Sequence, residues 1–330
     1  MQYLLIDTAN MFFRARHVTH RASSAEEKVA YALHITFSAI NKVAKKFNAD
    51  HVIFALEGRS WRKDFYKPYK ANRAAARAAL TEKEQEEDQL FWDTYDNFTK
   101  YLSEQTNCSV IRHPEAEADD IIARWIALHP QDTHYIVSSD TDFVQLLAPN
   151  VHQYNGISAE LITLEGIFDD KNKQVIDKKT KAPKTVPDPA WLLFEKCMRG
   201  DPSDNVFSAY PGVRTQGTKN KVGLREAFQD LGTKGYAWNN LMLQKWVDHN
   251  GEEHRVLDDY NRNVTLIDLT AQPADIKTKV DQSIAEQLSH KDIGQVGVRF
   301  MRFCGRYDLQ KVSESAEQYA QWLNNTYSGV

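Results

Sequence analysis

Four short apolar runs stand out along the chain: Tyr3–Ile6, Val52–Leu56, Val110–Ile111 with its flanks, and Tyr135–Val137. They are rich in β-branched and aromatic residues and do not alternate with polar ones. That is the pattern of strands covered on both faces in a parallel sheet. Between them the apolar spacing lengthens to three or four. From Glu26 to Phe47 it runs through Val29, Leu33, Phe37, Ile40 and Val43, one face of a helix. Thr81 to Gln105 opens with Thr81 three residues before Glu84, a capping-box spacing, and continues through Leu90, Phe91, Tyr95, Phe98 and Leu102. Asp119 to Leu128 predicts a third helix. Strands alternating with helices predict an α/β fold: a mostly parallel central sheet flanked by helices, with right-handed crossovers.

Beyond about residue 185 the strand signal fades and helical patterns run to the end. Pro189 suits a first helical turn, and Trp191, Leu192, Phe194, Cys197 and Met198 supply an apolar face. Asp201 to Tyr210 reads as a loop. Asn172 to Lys184 is Lys-rich, with Pro183 and Pro187 in or after it, and reads as an exposed connector. These shifts divide the 330 residues into 1–187 and 188–330, in keeping with roughly 150 residues per domain. The patterns at Val256–Leu269 and Ser315–Leu323 read as packing helices. Trp238, Trp246, Phe300, Phe303 and Trp322 read as core rather than as base-stacking platforms.

Composition narrows the class. With 42% hydrophobic and 26% charged residues the chain is globular, not disordered. No apolar run approaches the roughly 20 residues that span a bilayer. The N-terminus has no basic region and reaches an acid at Asp7, so it does not read as a signal peptide, and a cytoplasmic protein is expected. Cys108, Cys197 and Cys304 are odd in number and far apart, against a disulfide framework or a CxxC zinc site. The net charge of −4 argues naively against a polyanion, but its distribution does not. Arg59 to Arg77 holds seven basic residues and one acid, and Arg214 to Arg225 four basic residues and none. Either run alone is a solvated face; patches of one sign are also the footprint of nucleic-acid binding.

The acids recur in one context. Asp7 and Glu57 end the first two strands, and Asp140 and Asp142 follow the fourth. Ligands of open α/β sheets bind at the carboxyl ends of strands. An i, i+2 spacing in extended chain puts Asp140 and Asp142 on one side. Glu117, Asp119 and Asp120 stand at a helix start, and Asp201 and Asp204 share a face if their segment takes a helical turn. Any one of these is as readily a cap or a turn residue. Together they are nine carboxylates that would repel and raise one another's pKa unless divalent cations sat among them. Oxygen donors without nearby His or Cys suit Mg²⁺ or Mn²⁺ rather than zinc. Nine outweighs a net charge of −4, so the rest of the chain is net positive.

At this point the sequence resembles the flap endonuclease / 5′→3′ exonuclease family, in particular its phage ribonuclease H-type 5′-nucleases. The resemblance rests on Leu5-Ile6-Asp7-Thr8-Ala9-Asn10, on Trp61 to Arg73 with Tyr69-Lys70-Ala71-Asn72-Arg73, on Glu117-Ala118-Asp119-Asp120, on Ser138-Ser139-Asp140-Thr141-Asp142-Phe143, and on Arg199-Gly200-Asp201-Pro202-Ser203-Asp204-Asn205. It covers roughly the first 225 residues. It implies a PIN-like nuclease core with a helical arch near 60–105, and a C-terminal region with a helix–three-turn–helix element near 204–230. It implies two Mg²⁺ ions, with Mn²⁺ as a substitute: one near Asp7, Glu117, Asp119 and Asp140, the other toward Asp142, Asp201 and Asp204. Lys70 matches the arch lysine that stabilises the phosphate, supported by Arg73 or Arg77 along the same helix. Arg62 and Lys67 are expected DNA contacts, as are Gly212, Gly217, Lys219 and Lys221, whose hairpin amides hold a duplex phosphate and in several relatives a monovalent cation. There are two departures. Glu57 stands where the family usually has Asp, and Arg214-Thr215-Gln216 are extra residues in the hairpin.

The activity so implied is metal-dependent cutting of DNA, and of RNA primers on DNA, from the 5′ side near duplex–single-strand junctions during replication. The expected partners are branched or nicked DNA and RNA–DNA duplex ends. A single-strand-binding protein or sliding clamp is the expected protein partner, and the chain is expected to act as a monomer away from membranes. The alternative is a catalytically weakened branched-DNA-binding protein of the same fold, favoured only by Glu57. A phosphatase built around Asp7 wants a second Asp two residues on, where this chain has Ala9. A small toxin-type ribonuclease would need only the first half of the chain.

Overall fold

The computed structural model describes residues 1–16, 24–288 and 291–328. The chain forms two compact units, Met1–Ser60 with Leu80–Val186 and Ala274–Val330, and Trp61–Ala79 with Pro187–Pro273. The predicted strands are present: β1 (Gln2–Asp7), β2 (His51–Leu56), β3 (Ser109–Arg112) and β4 (Thr133–Val137). They belong to a seven-stranded sheet of order β3-β2-β1-β4-β5-β6-β7, completed by β5 (Val151–Asn155), β6 (Glu160–Thr163) and β7 (Gly166–Phe168). The first five strands are parallel, and β6 and β7 close the edge antiparallel. All six β2 residues are buried, the physical reason their run does not alternate. The edge hairpin left no comparable run, because β6 is half-buried throughout.

The helices of this unit are α1 (Thr8–Ala15), α2 (Ala25–Lys46), α5 (Glu82–Gln105), α6 (Ala118–Leu128) and, from the end of the chain, α11 (Ala274–Leu288), α12 (Val296–Arg306), α13 (Gln310–Ser313) and α14 (Ala316–Leu323). The Thr81–Glu84 box caps α5 as its spacing predicts: Thr81 N donates to Glu84 Oε2 at 2.8 Å and Glu84 N to Thr81 Oγ1 at 3.4 Å. Residues 274–330 do not group with 188–273. Phe300 lies 5.1 Å and Phe303 5.8 Å from the Phe37 ring of α2, and Phe303 lies 4.3 Å from Tyr101 of α5. Trp322 and Tyr319 join the same buried cluster.

The second unit contains α3 (Arg62–Phe65), α4 (Ala71–Ala78), α7 (Pro189–Arg199), α8 (Leu224–Gln229), α9 (Tyr236–Met242) and α10 (Val256–Ile267). It also has a two-stranded hairpin of β8 (Lys245–Val247) and β9 (Glu253–Arg255), where helical patterns alone were expected. Pro189 opens α7 behind the Asp188 cap. The expected arch at 60–105 is divided: 61–79 fall in this unit because Tyr69 is buried with Cys197, Val206, Leu266 and Ile267.

Candidate active site

The sheet order shows where the chain reverses its winding. From β1 it steps to β2 and β3 on one side, then returns to β4 and β5 on the other. Ligands of such sheets sit at the carboxyl ends beside the reversal, here between β1 and β4. Asp7, the last residue of β1, is 5% exposed and caps α1, its Oδ1 accepting Asn10 N at 3.2 Å. Its Oδ2 accepts Ser138 Oγ at 2.8 Å, from the segment after β4. A hydrogen bond therefore spans the reversal itself. Ser138 Oγ also accepts Asp140 N at 3.0 Å, and Ser139 Oγ donates to Asn10 Oδ1 at 2.9 Å. Asp140 and Asp142 are not in extended chain as expected. Asp140 caps a 3₁₀ turn, Thr141–Leu146, and its Oδ1 accepts Asp142 N at 2.9 Å, because a short acid folds its own backbone into such a turn. Gln153, buried on β5, donates to the carbonyls of Ser138 (3.0 Å) and Asp140 (2.6 Å). Nothing in the sequence reading pointed to Gln153; the one signal is an amide side chain between the buried Val151 and Tyr154.

On the other side of β1, Glu57 follows β2 and its Oε2 accepts Ala118 N at 3.4 Å. Gly58 makes this approach possible: a Cβ there would lie 2.0 Å from the His113 carbonyl oxygen, while its N–H donates to Ala116 O at 2.9 Å. Only glycine lets these two backbones meet. Glu117 is buried, caps α6, and accepts Ser60 Oγ at 2.8 Å. Asp119 stands half-buried in the first turn of α6. Asp120 is fully buried, and its Oδ2 accepts Glu117 N at 3.1 Å, so one of its oxygens serves as a cap. The buried Tyr95 hydroxyl has no hydrogen-bond partner among the described residues. Burial first, and then the negative charges of Glu57 and Asp7, push its pKa up. Both carboxylates are therefore felt at one interior hydroxyl. Seven of the nine acids line the carboxyl edge of this unit, and a donor set of carboxylates fits a hard divalent cation.

The remaining two acids belong to the second unit. Asp201 caps a 3₁₀ turn, Pro202–Asp204; its Oδ2 lies 2.7 Å from Lys196 Nζ, and its Oδ1 accepts Ser203 N at 2.9 Å. Burial would raise its pKa, but the bonds from Lys196 and Ser203 outweigh burial and hold it below the usual range. Asp204 gathers the expected phosphate-handling cations. Its carboxylate lies 3.5 Å from Lys70 Nζ, accepts Arg73 Nη2 at 2.8 Å and accepts Tyr69 Oη at 3.1 Å. Lys70 is not inside a helix; it heads α4 in the left-handed region, φ 54°, with its N–H on Asp204 O at 2.8 Å. Arg73 and Arg77 follow on α4, which buries none of its side chains.

Two expected DNA contacts are placed otherwise. Arg62 is 1% exposed, and its Nε donates to Leu266 O at 2.8 Å, so it braces the interior of its unit rather than meeting a ligand. The Gly217 N–H, expected on a phosphate, donates instead to both Glu226 oxygens at 3.1 and 3.0 Å, and Gly223 N adds a third bond at 2.9 Å. The spacing Gly223-x-x-Glu226 was the unread signal. Bonds from its own N–H and those of Gly223 and Gly217 hold the Glu226 carboxyl low against slight burial. Gly212 takes a positive φ of 75°, and Lys67, Lys219 and Lys221 are exposed.

A model of the family described as 5′-3′ exonuclease, N-terminal resolvase-like domain, matches residues 2–180. A Mycoplasmopsis pulmonis protein named 5′-3′ exonuclease is 25% identical over 301 residues, 88% of this chain and 91% of that protein. A Shewanella loihica protein named flap endonuclease Xni is 27% identical over 235 residues, 70% of this chain and 78% of that one. The bacteriophage T5 flap endonuclease, solved as a pseudo-enzyme–product complex with DNA and metal ions, superposes with a TM-score of 0.55 at 19% identity, over 87% of this chain and 99% of that chain. That likeness shows a common fold.

Proposed function

Since the chain belongs to the 5′-3′ exonuclease family and is a 5′-nuclease of the exonuclease and flap-endonuclease type, we propose that it hydrolyses phosphodiesters near duplex–single-strand junctions by two-metal chemistry. The observation that carries this is the Ser138–Asp7 bond across the sheet reversal, which fixes the first of seven carboxylates at the strand ends. The metal ions of the T5 complex support the same reading. Divalent cations, Mg²⁺ foremost and Mn²⁺ as a substitute, would lower the pKa of the attacking water and neutralise charge on the phosphate. Asp7, Glu117, Asp119 and Asp140 are the proposed ligands of one ion. Glu57 and Asp142 are the proposed outer members, and Asp120 orients Glu117 through its backbone. On the second unit, Asp201 and Asp204 are proposed to assist metal or substrate binding.

The chain's own cations supply the rest. Lys70 is proposed to meet the scissile phosphate, with Arg73 and Arg77 beside it, because a fixed cation near developing charge is a large catalytic term. Asp204 holds Lys70 and Arg73 in place until a phosphate competes for them. The exposed Lys67, Lys219 and Lys221, with the Gly212 turn, are proposed to grip duplex phosphates without reading sequence. RNA-primed duplex ends are proposed substrates alongside DNA flaps. The test is a 5′-flap duplex, an RNA-primed duplex and a plain single strand, each incubated with Mg²⁺ or with excess EDTA. Mg²⁺-dependent cuts within a few nucleotides of the junction are expected. Tight flap binding with no cutting in Mg²⁺ or Mn²⁺ would instead make this a branched-DNA-binding protein.

A further inference from the structure

The β8–β9 hairpin carries three side chains that the nuclease reading does not use. Asp248, Glu252 and His254 each offer a ligand atom, and the three atoms lie within 4.8 Å of one another. We propose that they bind a borderline first-row divalent cation, Zn²⁺ foremost, through one oxygen of each carboxylate and Nε2 of the imidazole.

The imidazole decides the chemistry. His254 Nδ1 lies 3.1 Å from Asp259 Oδ2, and Asp259 is buried and paired with Arg262. A carboxylate only accepts, so Nδ1 carries a proton, and Nε2 is the ring nitrogen left to offer a lone pair to a cation. A carboxylate behind the distal nitrogen is the arrangement that orients metal-ligating histidines. Nε2 is buried and has no hydrogen-bond partner among the described residues. Its nearest carboxylate oxygen, Asp248 Oδ2, is 3.7 Å away. Two ligands about 2.1 Å from a tetrahedral zinc lie about 3.4 Å apart, so this pair needs only a small closure, and the exposed Glu252 carboxylate, within 4.8 Å, would move in further. The Trp246 ring stacks on the imidazole at 4.4 Å and 15°, which holds its plane.

A simpler account makes Asp248 a turn residue: its Oδ1 accepts Asn250 N at 2.9 Å and Glu252 N at 2.8 Å, and its Oδ2 accepts Asn250 Nδ2 at 3.3 Å. That satisfies both Asp248 oxygens but explains neither Nε2, which has no hydrogen-bond partner among the described residues, nor the convergence of Glu252. One nitrogen with two carboxylates favours zinc over Mg²⁺, in contrast to the all-carboxylate edge of the sheet. The role that follows is structural. A two-stranded hairpin is marginal alone; a cation here would tie the turn to β9 and, through Asp259, to α10.

The full chain would be dialysed against micromolar Zn²⁺ in excess Mg²⁺ and its zinc counted by mass spectrometry, with circular dichroism as the folding control. The wild-type chain is expected to hold one more zinc than folded His254→Gln or Glu252→Gln; Glu252 is exposed, so its replacement tests the site without disturbing the interior. Asp259→Asn should weaken that zinc by roughly 10- to 100-fold. Equal zinc in the wild type, His254→Gln and Glu252→Gln overturns the site. Undiminished affinity in Asp259→Asn overturns Nε2 as the ligand. Neither count depends on whether DNA is cut.

Discussion

At the residue scale, several side chains carry more than their sequence context conveyed. Asp7 was legible as a strand-end acid, yet its hydrogen bond from Ser138 is what places it at the reversal of the sheet. Asp119, half-buried in the first turn of α6, is the cleanest probe of the proposed metal site. Asp119→Asn should cut flap duplex about 10³-fold more slowly, a loss of about 4 kcal/mol of transition-state stabilisation, while duplex affinity stays within twofold. Wild-type cleavage by Asp119→Asn would remove it from the site. Lys70→Ala should slow single-turnover cleavage by at least about tenfold and weaken flap binding less than it slows cleavage, because the proposed role is in the transition state. An unchanged single-turnover rate would leave Lys70 as no more than the Asp204 partner that the geometry already displays.

At the scale of elements, helix starts were the most legible feature. Thr81 with Glu84 and Pro189 are local signals: the first appears as a cap, and Pro189 opens α7, behind an Asp188 cap that the sequence reading did not single out. The loop from Gly212 to Gly223 was legible only in part. Its exposed lysines were apparent from their charge, but the carboxylate that organises its glycines was not, because Glu226 reads as an ordinary helix residue. Proposed phosphate contacts by Lys219 and Lys221 have an ionic-strength signature. Lys219→Ala should lower the slope of log affinity against log salt by about 0.9, the amount expected for one phosphate contact on duplex DNA, with no change in sequence preference. A slope identical to wild type would mean that Lys219 meets no phosphate.

At the scale of the whole molecule, the segment 274–330 is the largest departure from the sequence reading. A chain ended at residue 273 loses Phe300, Phe303, Tyr319 and Trp322 from the buried cluster that holds Phe37 and Phe98. Each buried aromatic contributes about 3–5 kcal/mol, and a domain's net stability is about 5–15 kcal/mol. The shortened chain should therefore lack a cooperative thermal transition; a sharp one near the wild-type temperature would contradict this packing. The sheet also makes stability pH-dependent. His51 donates Nδ1–H to Asn325 O at 2.9 Å and accepts from Ser109 Oγ at 2.8 Å, a pairing that suits the neutral ring. Burial pushes both His51 and His134 down to about 4 from 6.5. As pH falls through 6.5 the unfolded chain takes up these protons while the folded chain does not. Stability is thus full above about 6.5 and declines toward 4, by about 1.4 kcal/mol per pH unit for each imidazole. Urea midpoints at about pH 7 and pH 5 would show the fall, and equal midpoints would rule both imidazoles out.

The first four strands, the long helices between them, their periods, the Thr81 cap and the placing of acids after strands were set by the sequence alone, because each is a relation between residues a few positions apart. Only the tertiary structure decided that Arg73 and Asp204, 131 residues apart, form one ion pair, that Arg62 turns inward, and that residues 274–330 complete the first unit's core. Those outcomes depend on which buried surfaces and opposite charges meet after the chain has closed, and a periodicity carries no information about its partner.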